Sequence, residues 1–477
     1  MKYPTYAMST VMVFIVSLFV LLLGWQLLGQ SGPSSQQQAA AEGSWTLPQH
    51  RRTLVRDSTG KELSAPEALF SLPASTLKYF PQAGRCATGW MAQYTKLHAD
   101  VQSGRLPPRY LVSVAVEAGL ADRLAGLMTL FWHAVLTNRA ISTVAYGDVP
   151  SFQSMCDAPF IDWTSRPDNL PDEAIEPLKF TYKGQRGYPG QNRSLPATLD
   201  PNTYQMLYLI NGGQNLTVYQ RGNVSTAVSP DPAYLLAATN RGRTFALATN
   251  PFHKQQFWEY GVNPQDAFMC GFFFMCSPAA AIQSYYQKYW EALQEPGVLK
   301  IGIQIRMGDG VFKSSEAERS PADTLKIGAE WFDCAQQLEK AYAAPGQKVL
   351  WYLNSDSQQL RKAAKTIYGV KLITDDELKM THPDCHQDRP HGTNSSSPSA
   401  ACQQAAMDEA LQHSLGAMLT FSMTDYQVIT AASGFGRLGA WLSGRWGNIY
   451  KVNPGMGTCR AGQPVPPEQS AYTWSGV

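Results

Sequence analysis

The sequence predicts an α/β protein: two facing Rossmann-like domains behind an N-terminal transmembrane helix. Three observations predict it. Residues 110–145 read as strand, glycine turn, helix and strand, a βαβ unit that implies a parallel sheet. From Leu299 onward, strand and helix patterns alternate at the spacing of a doubly wound sheet. Met8–Leu28 carries no charged side chain and is long enough to cross a bilayer core as a helix.

The N-terminal region comes first. Lys2 precedes the apolar run and no other Lys or Arg appears before Arg51, so the positive-inside rule puts residues 1–7 in the cytosol and the bulk of the chain in the lumen. A cleaved signal peptide, with Ala39–Ala41 as its small-residue site, is the competing reading. The run is longer than a signal core and the site lies far downstream of it, so an uncleaved anchor over 8–28 is expected. Four glycosylation sequons, at Asn192, Asn215, Asn223 and Asn394, agree with a lumenal body. So do the eight cysteines, none in a C-x-x-C, which read as disulfides of unread pairing. The net charge of +2 excludes a domain built for nucleic-acid backbones. At 477 residues and 44% hydrophobic, the chain can bury a large core.

Residues 29–104 read as stem and N-terminal extension, flexible at least over the Ser/Gln/Ala-rich Gln30–Leu47. A first domain is expected over 105–296. It opens with a strand at 110–116, a helix from Gly119 and a strand at 141–145. Residues 150–249, rich in Pro, Gly and Asn, read as surface decoration of that domain. The aromatic stretch Phe252–Trp290 suits either a sugar-stacking groove or core, and core is the better reading for most of it. A helix over 279–293, closed by Glu295-Pro296-Gly297, marks the boundary. A second domain over 297–477 has strands at 299–306, 348–354, 370–374, 426–430 and 448–452. Its helices fall at 322–344, 357–368, 403–422 and 435–443. An insert carries His382, Cys385, His386 and His391, a metal cluster by type. A disulfide between Cys385 and Cys402 is the plainer account, and no metal is expected.

Chemistry concentrates at strand ends. Gln304, Arg306 and Asp309 close the first strand of the second domain. Arg306 is a permanent cation whose planar fork suits a diphosphate, and a structural ion pair is the plain alternative. Asn354, Ser355 and Asp356 close the next strand. At a third, Ser433, Gly434, Phe435, Gly436 and Arg437 turn into a helix whose amides and hydroxyl suit a diphosphate. Gly119 offers a similar turn in the first domain, followed by Arg123. Transfer of a sugar from a nucleotide donor builds charge on the leaving diphosphate, which must be stabilised. The chain contains no Asp-x-Asp to hold a divalent ion, so Arg306 with a helix amino end is the metal-free alternative. Asp122 and Asp309 are the candidates for general base.

At these residues the chain resembles a family. KIGIQIRMGDG (300–310) is similar to the first motif of fucosyltransferases that use GDP-fucose, closest to the plant xyloglucan α1,2-fucosyltransferases. GLADRLAGLMTLFWHAVLTNRA resembles the plant GLGNR helix, and Cys156–Phe160 resembles the C-E-P-F after it. Met423–Tyr450 resembles the third motif, with its Ser-x-Phe-Gly turn. The resemblance implies a GT-B fold, a type II Golgi membrane protein, GDP-fucose as donor substrate without a cofactor, and inversion without a metal. The acceptor would be a hydroxyl, a galactose 2-OH in the plant case, on a cell-wall polysaccharide or glycoprotein glycan. Arg306 would hold the β-phosphate, and Ser433, Gly434 and Phe435 would line the nucleotide near Asn354–Asp356. One departure is chemical. The family's Gly-Asn is Ala121-Asp122 here, an amide replaced by an acceptor-only carboxylate. Another nucleotide sugar, a protein acceptor or a silent glycan-binding relative remain the alternatives.

Overall fold

The computed structural model describes residues 70–472 apart from 147–148, 150, 180–193, 211–216, 229–230, 309–319 and 379–403. The expected membrane helix, the Gln30–Leu47 stem, the histidine-containing insert with Cys385 and Cys402, and three of the sequons lie outside the described residues.

In chain order the strands are β1 (Tyr110–Val114), β2 (Ala140–Val144), β3 (Cys156–Asp157), β4 (Tyr204–Tyr208), β5 (Tyr234–Ala238), β6 (Ser277–Pro278), β7 (Leu299–Ile305), β8 (Val349–Ser355), β9 (Leu372–Ile373), β10 (Tyr426–Thr430) and β11 (Ile449–Val452). The helices that frame them are α1 (Gly89–Gln102), α2 (Leu120–Leu136), α3 (Ala267–Met275), α4 (Ala280–Gln294), α5 (Ala329–Tyr342), α6 (Gln358–Tyr368), α7 (Gln404–Ser422) and α8 (Gly434–Leu442).

Two parallel sheets result. The first has four strands in the order β2-β1-β5-β4, the second five in the order β11-β10-β7-β8-β9. Their strands are apolar runs that show little alternation, as strands covered on both faces do. The expected α/β class therefore holds. Residues 150–249 do not merely decorate a surface. They supply β4 and β5, and β5 is buried at every position between β1 and β4. Its sequence, YLLAA, is short and shows no period of two, so it left no strand signature among its Pro and Asn neighbours. The single helix expected over 322–344 is broken into Pro321–Ile327 and α5. The break falls at Gly328, where a Cβ would stand 2.9 Å from Phe332 and 3.1 Å from Ile305, so glycine lets the chain close against β7.

One apolar core joins the two halves, running from Leu111 and Phe131 through α3 to Leu415, Trp441 and Ile449. Phe272, Phe273 and Phe274 are fully buried within it, so core is what the aromatic stretch mostly builds. Each such side chain contributes roughly 2 kcal/mol by leaving water. Three disulfides pin this frame: Cys86–Cys270, Cys156–Cys276 and Cys334–Cys459.

In the last turn of α2, His133 Nδ1 sits 3.1 Å from the buried hydroxyl of Tyr219. Burial, then the nearby charges of Arg139 and His253, lowers its pKa from 6.5 to about 3. The unfolded chain takes up this proton near 6.5 while the native chain holds out to about 3. Across that window the unfolded state binds more protons, so stability falls as the pH falls. One such histidine removes about 2 kcal/mol by pH 5. His133→Gln flattens that acid-side decline, as seen by melting temperatures at pH 5 and pH 7.5. An unchanged slope would contradict the assignment.

Candidate active site

In the second sheet, the chain lays β8 and β9 on one side of β7, then returns to lay β10 and β11 on the other. The crossovers leave a crevice at the carboxyl ends of β7 and β10, where open parallel sheets take their ligands. Thr430 closes β7 onto β10 there. Its amide donates to Gln304 Oε1 at 3.3 Å and its hydroxyl to the Gln304 carbonyl at 3.1 Å. The same hydroxyl accepts from the Arg306 amide at 3.0 Å. Nothing in the sequence singled out Thr430, since a threonine at a strand end is ordinary.

Arg306 thus stands at the reversal point, with its side chain 30% exposed. Its guanidinium donates to Asp356, which also accepts from the amides of Met307 at 2.8 Å and Gly308 at 3.2 Å. Gly308 has φ of 97°, a conformation that favours glycine, and this turn wraps the carboxylate. Burial pushes the Asp356 carboxyl up, while Arg306 and the two amides pull it back. Among the described residues Arg306 thus pairs with Asp356, fifty residues on; Asp309 lies outside them.

The other predicted groups divide. Gln304 is 3% exposed and its Oε1 accepts from the Thr430 amide, so it braces β7 against β10. Ser355 is likewise interior, its hydroxyl accepting from the Ser357 amide at 3.2 Å. Asn354, in register with Gln304 on β7, is buried with an Nδ2 that meets no acceptor among the described residues. Ser433 caps α8 by accepting from the Gly436 amide at 3.3 Å, at the start of a helix that follows β10 directly. Gly434 begins that helix and Phe435 packs on the main core. Gly436 is fixed by closeness, because a Cβ there would stand 2.3 Å from Gln304 Oε1.

The first sheet repeats the plan. Its chain order reverses between β1 and β5, and α2 starts at that end behind Gly119, which has open space around its Cα. Asp122 lies in the first turn of α2, 28% exposed, 3.6 Å from Nη1 of Arg241 in the loop after β5. Arg241 went unpredicted, for its strand had no signature. Arg123 turns inward: it is 4% exposed with its guanidinium 4.6 Å over the Phe152 ring. Arg437 of α8 is 1% exposed and donates to the Ala431 carbonyl at 3.4 Å; burial lowers its pKa to about 10, with the charge of Asp122 opposing the shift. α2 and α8, one from each half of the fold, pack together. Among the described residues no cluster of His, Cys, Asp and Glu is arranged to hold a metal.

No family model and no curated protein matches the sequence. Among solved structures, the chain is similar to an arginine-to-lysine mutant of Arabidopsis thaliana FUT1 in complex with GDP. The two are 16% identical with a TM-score of 0.51, over 82% of this chain and 83% of that one. This protein has the FUT1 fold. The NodZ fucosyltransferase from Bradyrhizobium is also similar, at 12% identity and a TM-score of 0.39, over 74% of this chain and 99% of that one. The FUT1-like fold extends over both sheets.

Proposed function

We propose that this protein is a GDP-fucose-dependent fucosyltransferase of the Golgi membrane. It moves fucose, with inversion and without a metal, to a hydroxyl of a cell-wall polysaccharide or glycoprotein glycan. The observation that carries the reading is Arg306, a partly exposed guanidinium at the reversal point of a parallel sheet, beside the amino end of α8. The fold similarity to FUT1 in complex with GDP supports it.

In this reading residues 297–477 bind the donor and 105–296 face the acceptor, in a GT-B arrangement. The α- and β-phosphates lie over the crevice between β7 and β10. As the bond from the anomeric carbon to the phosphate oxygen breaks, negative charge gathers on the diphosphate. Arg306 takes that charge with a planar pair of donors, and the positive pole of α8 adds to it. Asp356 keeps the guanidinium aimed, and the Asn354 amide awaits a ligand acceptor near the ribose or base. Fixed donors of this kind cost no reorganisation when the charge appears. The absence of Asp-x-Asp from the sequence supports a metal-free route. Met8–Leu28 anchors the chain with its body in the lumen, where three disulfides are at home.

Purified full-length chain in detergent binds GDP in a calorimetric titration, and releases GDP from GDP-fucose at a rate that EDTA leaves unchanged. No heat with GDP would sink the transferase and leave a glycan-binding role ahead. Loss of turnover in EDTA would overturn the metal-free route alone.

A further inference from the structure

The sequon Asn223-Val224-Ser225 lies among the described residues, where Asn223 opens a tight turn over Val224–Thr226. Asn223 Oδ1 accepts from the Ser225 amide at 2.9 Å. The planar amide thereby turns its Nδ2 away from the backbone, and Nδ2 donates to no group among the described residues. Asn223 is partly exposed, and Ser225, Thr226 and Ala227 after it are exposed. The turn is pinned from the inside. Asn250 Nδ2 donates to the Gly222 carbonyl at 2.8 Å, and the buried Val224 amide donates to His253 Nε2 at 3.0 Å. Both neighbours of Asn223 are thus tied to a second segment, residues 250–253. Phe252 stands within that segment, its amide donating to Asn250 Oδ1 at 2.9 Å. Unlike most of the aromatic stretch it belongs to, it is 59% exposed, so its ring offers an apolar face at the surface.

We propose that Asn223 carries an N-linked glycan whose first sugar rests on the Phe252 ring. The statement rests on the lumenal placement in the reading above, and not on the transferase activity. The reaction joins Asn223 Nδ2 to the anomeric carbon of an oligosaccharide carried on a lipid diphosphate. The bond from that carbon to the diphosphate oxygen breaks, the lipid diphosphate leaves with the electron pair, and the nitrogen gives up one proton. The folded turn accommodates the product, because the bond that shapes it uses Oδ1 and leaves Nδ2 to the sugar. A bulky group is tolerated where the neighbouring side chains face water.

Full-length chain from a eukaryotic secretory host tests this. Mass spectrometry of the peptide containing Asn223 finds it modified. Ser225→Ala removes the hydroxyl that the sequon requires and keeps the backbone amide that Asn223 Oδ1 binds, so it takes away the glycan and leaves the turn. That variant runs one glycan lighter on a gel, and its melting temperature falls by roughly 2 °C. Asn223→Asp, which keeps the acceptor for the Ser225 amide, gives the same two shifts. Phe252→Ala retains the glycan, and adding Ser225→Ala to it lowers the melting temperature no further. A bare Asn223 beside a modified sequon elsewhere in the chain would overturn the site and leave the lumenal reading standing. Four bare sequons would overturn both. A modified Asn223 with equal losses from Ser225→Ala in the two backgrounds would overturn the contact with Phe252.

Discussion

Arg306→Lys lowers GDP-fucose turnover about a hundredfold while leaving the fold intact. The guanidinium in the structure already serves Asp356 with one nitrogen and keeps part of its surface open. A planar guanidinium can meet a carboxylate and a phosphate at once. An ammonium is a point charge on a flexible stem, so it must choose between the two partners. The turn itself survives, because Asp356 is also held by the amides of Met307 and Gly308. The melting temperature consequently moves little while the rate collapses. Turnover and thermal melts on the same preparation check this, and a near-normal rate would show that the Arg306–Asp356 pair is purely structural.

Gly436→Ala weakens both stability and GDP binding. The added methyl would stand 2.3 Å from Gln304 Oε1 and 2.9 Å from its Cδ. Gln304 cannot simply swing aside, because its Oε1 receives the Thr430 amide that closes β7 on β10. Either that bond breaks or α8 lifts from the sheet, and both move the helix start away from Arg306. Overpacking of this kind costs about 2 kcal/mol. The second change Gln304→Ala makes room for the methyl, so the double variant recovers part of the stability lost in Gly436→Ala. Denaturant melts of the single and double variants read the outcome. A fully stable Gly436→Ala would mean that the strand-to-helix turn is looser than the geometry shows.

The second sheet was legible in the sequence almost element by element, because β7, β8 and β10 are long enough to carry a pattern and α6 and α8 open on a serine. Ser357 and Ser433 cap their helices as their positions predict. The first sheet was legible only in β1, α2 and β2. Its β5 was hidden because a short strand buried at every position loses the alternation that betrays a strand, and β4 is a five-residue edge strand. The site followed the same division. Arg306, Ser433 and Gly436 could be placed because they end strands that could be read. Arg241 could not, because it follows one that could not. The Arg306–Asp356 pair was not read from the sequence, for a simple physical reason. Nearness in sequence does not tell which side chain shares a sheet face, and the parallel pairing of β7 with β8 is what delivers Asp356.

The disulfides carry a consequence for the order of events during synthesis. Cys86 and Cys156 leave the ribosome long before their partners at the two ends of the phenylalanine-rich helix, Cys270 and Cys276, with separations of 184 and 120 residues. Until then the two early thiols have each other as nearest neighbours, and a bridge between them would be wrong. The N-terminal half therefore cannot finish by itself as it emerges, although N-terminal domains usually fold first. It waits for α3, whose arrival at once fills the core and delivers both missing sulfurs. A ribosome paused before residue 276 holds an unfinished half, and the emerging chain depends on its compartment to keep those early cysteines exchanging until the helix comes.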